Sequence, residues 1–322
     1  MSIKSETLES PNDHESTSAD EIPVVDISNK GSNMPLNPFC FPERHLFKGL
    51  VFNGVPVIKC HVSDDSLTHI KKIRELELRT DDVIIAAYPK CGTHWVAEIV
   101  HMLLTGSAEY SARSKEHAML EFTEDLSSLD QMISPRLLNS HLYFAHLPAQ
   151  LTDKSVKVIH LIRNPKDVAV SLYHHMKQDS PDQFTFDNFL KGYTTEDYWR
   201  TSHQFNYLKQ MYQFERENPH HPITHIHYED LKKQLARFMG LEAGQQLCED
   251  IVTACDFDKL KKADDNRAAP DNLNKVFDQF NVFRKGEVGD WKNQFTVAQS
   301  EMFDEFIARQ NQSDFAFSFR WH

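Results

Sequence analysis

No stretch of this 322-residue chain approaches the roughly 20 consecutive apolar residues that cross a bilayer, so a membrane-spanning protein is not expected. Positive charge is in short supply as well: 35 Lys and Arg stand against 47 Asp and Glu, a net charge of −12. Nucleic acids and anionic lipid surfaces are held by many cations at once, and this balance offers footing for neither. Cysteines are few and odd in number, with Cys40, Cys60, Cys91, Cys248 and Cys255 scattered along the chain. That usage suits a reduced compartment, and a cytoplasmic location is expected. The first residues carry neither the basic start nor the apolar middle of a secretory leader. Metal-ligand spacing is also missing. Neither Cys-x-x-Cys nor His-Glu-x-x-His occurs, so His174-His175, His220-His221 and the alternating His225 and His227 read as surface or core histidines.

What is present suffices for one sizeable core, since 40% of the residues are hydrophobic. Residues 1–34 are rich in Ser, Glu, Asp and Asn, with one brief apolar stretch from Ile22 to Ile27. They are expected to form a disordered acidic tail, leaving residues 35–322 as a single domain. The mixture Lys71-Lys72, Arg74, Glu75, Glu77 and Arg79, interleaved with Ile70, Ile73, Leu76 and Leu78, predicts a helix with a solvated charged face.

Three segments carry chemistry. The apolar run Val83 to Ala87 leads into Tyr88-Pro89-Lys90-Cys91-Gly92-Thr93-His94-Trp95 and then into a helical pattern from Val96 to Leu104. A helix N-terminus presents unpaired N–H groups and the positive end of its dipole, and Lys90 and Thr93 add a charge and a hydroxyl, so an anion is expected there. The loop is not a Walker arch, because its one glycine, Gly92, follows the lysine. Taken alone, such a strand, loop and helix also admits a purely structural reading. The second segment repeats the arrangement. The strand candidate Val156 to Ile162 ends in Arg163, and Asn164 is placed to cap a helix from Lys166 to Met176 opened by Pro165. Ser171 lies two turns on and on nearly the same face as Asn164. The third, Phe283 to Lys292, holds adjacent Arg284 and Lys285 with Gly286 and Gly289. In a chain of net charge −12, three such loops argue for a small polyanionic ligand.

Together the three segments resemble the nucleotide-binding signatures of the cytosolic sulfotransferases, in the same order and with similar spacing. The resemblance runs from about Phe39 to the C-terminus and includes Thr80-Asp81-Asp82 and Phe315 to Arg320. It implies an α/β fold: a central, mostly parallel sheet flanked by helices, with a P-loop-like phosphosulfate-binding loop. It also implies a co-substrate, 3′-phosphoadenosine 5′-phosphosulfate (PAPS), and no metal. Lys90, Cys91, Gly92, Thr93 and His94 would line the phosphosulfate, and Trp95 would stack on adenine with Phe257 closing the other face. Tyr228 would contact the nucleotide. Arg163, Ser171, Arg284, Lys285 and Gly286, with Phe283 beside them, would hold the 3′-phosphate. Core packing is the competing reading of each aromatic. The pattern Lys292, Thr296, Val297 and Glu301 resembles the family's homodimer motif, although an amphipathic helix would look similar.

Sulfuryl transfer to a hydroxyl or amine needs a base near neutrality, which points to histidine. The segment Ser134 to Pro148 resembles the family's catalytic stretch in two registers: the Pro135-Arg136-Leu137-Leu138 lead-in selects His141, and the triplet His146-Leu147-Pro148 selects His146. The forward distance to Arg163 favours His141, with Lys90 as the charge stabiliser. Three residues depart from the family pattern. Asn139 stands for a lysine, where its amide is expected to assist the sulfuryl oxygens; His94 stands for a threonine, with a ring N–H to replace the hydroxyl; Cys91 stands for a serine, either as an inert substitute or, beside Lys90 at a helix start, as an oxidation-sensitive thiolate. Ser107 to Asp130 and Gln178 to Trp199, with Phe122, Phe184, Phe186, Phe189, Tyr193, Tyr198 and Trp199, fall where the family builds its acceptor pocket. An apolar or aromatic alcohol, phenol or amine is the expected acceptor. The alternatives are a PAPS-binding protein with little turnover, motivated by Asn139, and a P-loop nucleotide kinase.

Overall fold

Five successive apolar residues form β4 (Val83–Ala87), and all five are buried, as a strand covered on both faces requires. The computed structural model describes residues 25–26, 50–52, 55–56, 65–178, 182–195, 203–228, 244–267, 283–311 and 317–320. Apart from 25–26, the stretch 1–34 lies outside the described residues, as do Tyr198 and Trp199. Strand β4 is central in a sheet with β5 (Leu137–Ser140), β6 (Lys157–Ile162) and β7 (Ile223–His227), in the order β5-β4-β6-β7. Every pair is parallel, with Ile85 opposite both Asn139 and Ile159, and Ile159 opposite Thr224. A separate antiparallel sheet joins β1 (Val25–Asp26), β2 (Leu50–Phe52) and β3 (Val55–Pro56).

Parallel strands need crossovers, and helices supply most of them. Helix α1 (Ser66–Glu75) is capped by Asp65, whose carboxylate accepts from Thr68 N, and buries Ile70 and Ile73. It stops at Glu75, short of the charged pattern that runs on to Arg79. Helix α2 (Thr93–Thr105) follows β4. Gly92 at its N-cap has φ 97° and Gly106 at its C-cap φ 65°, left-handed values that suit glycine. Helix α3 (Pro165–Lys177) follows β6 with Asn164 as N-cap, its side chain accepting from Lys166 N, as its sequence predicts. Helices α4 (Phe186–Tyr193) and α5 (Gln204–Glu217) complete the crossover to β7. Then come α6 (Gln245–Ala254), α7 (Phe257–Asp265) and α8 (Val297–Gln310).

Two apolar clusters result. One surrounds the parallel sheet and α2; the other joins α3, α4 and α5 to Phe303, Phe306 and Ile307 of α8. Phe184, Phe186, Phe189 and Tyr193 belong to the second cluster, each 8% exposed or less. These four aromatics are therefore core residues, which corrects their assignment to an acceptor pocket: Tyr193 stacks on Phe303 of α8 and Phe186 meets Phe295 just before it, over a hundred positions along the chain.

Candidate active site

All four parallel strands end at one edge of the sheet, the place where open α/β sheets bind ligands. From β4 comes the loop Tyr88 to Gly92, from β5 His141, from β6 Arg163 and from β7 Tyr228. Lys90 adopts φ 69°, unusual for a residue with a side chain. Its carbonyl accepts from Arg163 Nη1 at 2.9 Å, so the second cationic segment braces the first. The Arg163 guanidinium also lies over the Tyr228 ring, 4.4 Å from its centroid, and Tyr228 meets Trp95 edge-on at 5.4 Å. A Cβ on Gly92 would approach the Tyr228 ring to 2.5 Å, so the loop can pass this close only without a side chain.

The third cationic segment is tied to the second. Asp167, in the first turn of α3, accepts from Gly289 N at 2.8 Å and from Trp291 N at 3.1 Å. Lys166 reaches across to Ser300 and Asp304 of α8, both at 2.7 Å, beneath the Trp291 ring. Arg284 Nη1 and Lys285 Nζ both pair with Asp290, at 2.6 and 2.8 Å. Burial alone would raise the Asp290 carboxyl, but donors from Asn293, Lys285 and Arg284 hold it down to about 2. Phe257 and Phe283 stand edge-on at 6.0 Å, and His94 meets Phe283 at 5.7 Å. A Cβ on Gly286 would come within 2.1 Å of Phe257. Ser171 is half-buried in the second turn of α3.

At the end of β5, Glu121 accepts from His141 N at 2.6 Å and from Ser140 Oγ at 2.9 Å, fixing the backbone around the histidine. His141 Nδ1 lies 2.7 Å from Ala87 O. A carbonyl can only accept, so Nδ1 carries the hydrogen and Nε2 keeps its lone pair. Burial, then the nearby Lys115 ammonium, holds the ring down to about 3, and it is neutral at working pH. His146 sits elsewhere. It is fully buried, stacked at 5.8 Å on Phe52 of β2 with Nε2 2.9 Å from Phe52 O, and burial lowers it to about 4.

Two of the three departures from the family pattern meet the structure differently from expectation. Asn139 Nδ2 donates to Lys115 O at 2.8 Å, so its amide is engaged within the protein. His94 Nε2 pairs with Glu116 Oε1 at 3.1 Å. Cys91 is 1% exposed and packs into the main core, which favours the inert substitute over the oxidation-sensitive thiolate. Lys115, Glu116 and Glu121 are contributors that no motif flagged; Asp167 lies inside the second segment but was given no role there.

A polyanionic nucleotide fits these groups on their own chemistry. Trp95 Nε1, Arg163 Nε and Arg284 Nε are buried donors without an acceptor among the described residues, and the N-terminus of α2 opens from the same loop. Among the described residues, no cluster of three or more His, Cys, Asp or Glu could hold a metal ion.

Comparison with known proteins gives the same direction. The family profile described as "Sulfotransferase domain" matches residues 80–315. Sulfotransferase 1A1 of Rattus norvegicus is 32% identical over 286 residues, 83% of this chain and 95% of that protein. Sulfotransferase 1B1 of Canis lupus familiaris is 34% identical over 292 residues, 84% and 95% of the two chains. Among solved structures, mouse sulfotransferase SULT7A1 complexed with PAP aligns with TM-score 0.64 at 24% identity, covering 82% of this chain and 95% of that one. A retinol dehydratase in complex with androsterone and inactive cofactor PAP aligns with TM-score 0.63 at 20% identity, covering 83% and 90%. By its family profile and by relatives matched along most of their length, this chain belongs to the sulfotransferase family.

Proposed function

We propose that the protein transfers the sulfuryl group of PAPS to a hydroxyl or amine of a small apolar or aromatic acceptor, with His141 as general base. The observation that carries this reading is the His141 ring: Nδ1–H is held by Ala87 O, leaving Nε2 with its lone pair at the sheet edge where Lys90, Arg163 and the α2 N-terminus converge. PAPS, when bound, supplies the sulfuryl group and a bisphosphate leaving group. Lys90 and the first N–H groups of α2 stabilise the charge that develops on the leaving side, while Nε2 removes the acceptor proton. Arg163, Tyr228, Trp95 and Arg284 hold the nucleotide; positioning and preorganised charge do the rest. Burial first, and then the Lys115 charge, keeps His141 weakly basic; a bound anion would offset the second of these, so donor binding would strengthen the base in part. Supporting the acceptor class, the retinol dehydratase neighbour was solved with androsterone.

A homodimer through Lys292, Thr296, Val297 and Glu301 belongs to the same proposal, as does a cytoplasmic setting. Val297, the first residue of α8, is 75% exposed, which favours a partner for it. Thr296 also serves as N-cap, accepting from Gln299 N at 3.2 Å, so part of the pattern has an intrachain role.

Two variants test the base. His141→Ala should nearly abolish transfer from labelled PAPS across a panel of phenols, alcohols and amines, while PAPS binds with near-native affinity. His146→Ala should lose stability through its cavity beside Phe52 yet keep measurable turnover. A dead His146→Ala with an active His141→Ala would move the base five residues along the chain.

A further inference from the structure

A buried ammonium lies near enough to both the Lys90 loop and the base for its charge to act on each. Lys115 opens the 3-10 turn Lys115–Ala118, and its side chain is 5% exposed. Its Nζ donates to Asn139 Oδ1 at 3.3 Å and pairs with Glu116 Oε1 at 3.1 Å. An ammonium has three donors, and its remaining neighbour among the described residues is the weakly accepting sulfur of Met119, 3.6 Å away. On one side Lys115 thus hangs from Asn139, two residues before His141. On the other, the same Glu116 oxygen holds His94 Nε2 at 3.1 Å, which keeps the ammonium within two hydrogen-bond lengths of the first turn of α2.

We propose that Lys115 is a further catalytic residue, donating its third N–H to an oxygen of the sulfuryl group. This rests on the PAPS reading above. Glu116 is otherwise an obstacle, a carboxylate in an anion site. Burial would raise its carboxyl, but Lys115 and His94 hold it well below the usual range, so it serves to fix both donors in place. Asn139 becomes the neutral partner that orients Lys115 from β5. A second lysine at position 139 would face the Lys115 ammonium directly and repel it. The positive charge expected beside the base is therefore present, delivered from a different element 24 positions earlier in the chain.

The test compares PAPS with PAP, which lacks the sulfuryl group, by calorimetric titration. Lys115→Met should weaken PAPS about tenfold, the scale of one charge-assisted hydrogen bond, and leave PAP within about threefold. Lys115→Met combined with Asn139→Lys returns one ammonium to the same neighbours and should recover the preference for PAPS, which repair of a folding defect would not explain. Equal weakening of both nucleotides by Lys115→Met, or no weakening, would overturn the assignment. So would full recovery in Lys115→Met with Glu116→Gln, since Lys115 would then only neutralise Glu116. Wild-type protein binding neither nucleotide would sink the donor reading along with it, whereas failure of the His141 assignment leaves this comparison intact.

Discussion

The Lys90 ammonium is held down to about 8 by burial first, and then by the Arg163 and Lys115 cations. Its charge is therefore not permanent near neutrality, although the sequence alone suggests a fixed cation. Because the folded pKa lies below the ordinary 10.5, the unfolded chain binds more protons between these values, and this group's contribution to stability rises with pH in that window. Activity should run the other way. Above pH about 8 the free protein loses the charge that meets the donor, so kcat/KM for PAPS should fall there, and Lys90→Arg should shift that limb to higher pH. An unchanged limb in Lys90→Arg would place the titrating group elsewhere. At this scale the sequence was readable where residues act through neighbours in the chain, as in the Asn164 cap. It was silent where they act across it. Glu121 grips the backbone of His141 from 20 positions away, and Asp167 holds Gly289 from 122. Nothing local to either carboxylate names its partner.

Elements were legible in proportion to how far their own residues determine them. Strand β4 is a continuous apolar run, and α3 carries its cap and its proline in sequence. The aromatics of α4 were misread, because whether a ring faces a pocket or a neighbouring helix depends on where α8 docks. The segment before β4 and the lead-in to β5 explain one another. Arg136, fully buried, donates from Nε and Nη2 to the two oxygens of Asp82 at 2.9 and 2.6 Å and from Nη2 also to Glu77 O. This pair locks the starts of the two strands whose ends carry Lys90 and His141. Arg136→Met should cost about 3–5 kcal/mol in chemical denaturation by stranding the Asp82 charge, while the protein that remains folded keeps its PAP affinity. A loss under about 1 kcal/mol would mean that solvent reaches Asp82 and that the pair does little for the sheet.

Across the whole molecule the net charge is −12, yet Lys90 and Arg163 gather at one edge of a four-stranded sheet, and this cationic centre has Arg284 and Lys285 tied to it through Asp167 and Asp290. Val297, 75% exposed on α8, is an apolar side chain that a partner copy would cover, so Val297→Glu should convert a dimer to monomers in sedimentation at micromolar concentration. A wild-type monomer under those conditions would remove the assembly from the proposal. The Asp290 carboxylate gives the centre another property. Arg284 and Lys285 share it as their counter-ion, so an anion reaching them meets cations that the chain already neutralises in part, with Arg284 Nε left open among the described residues. On the nucleotide reading, a singly charged group would gain little beside that carboxylate, whereas a doubly charged phosphate would still be drawn to the pair, so Asp290 would weight the centre toward ligands of higher charge.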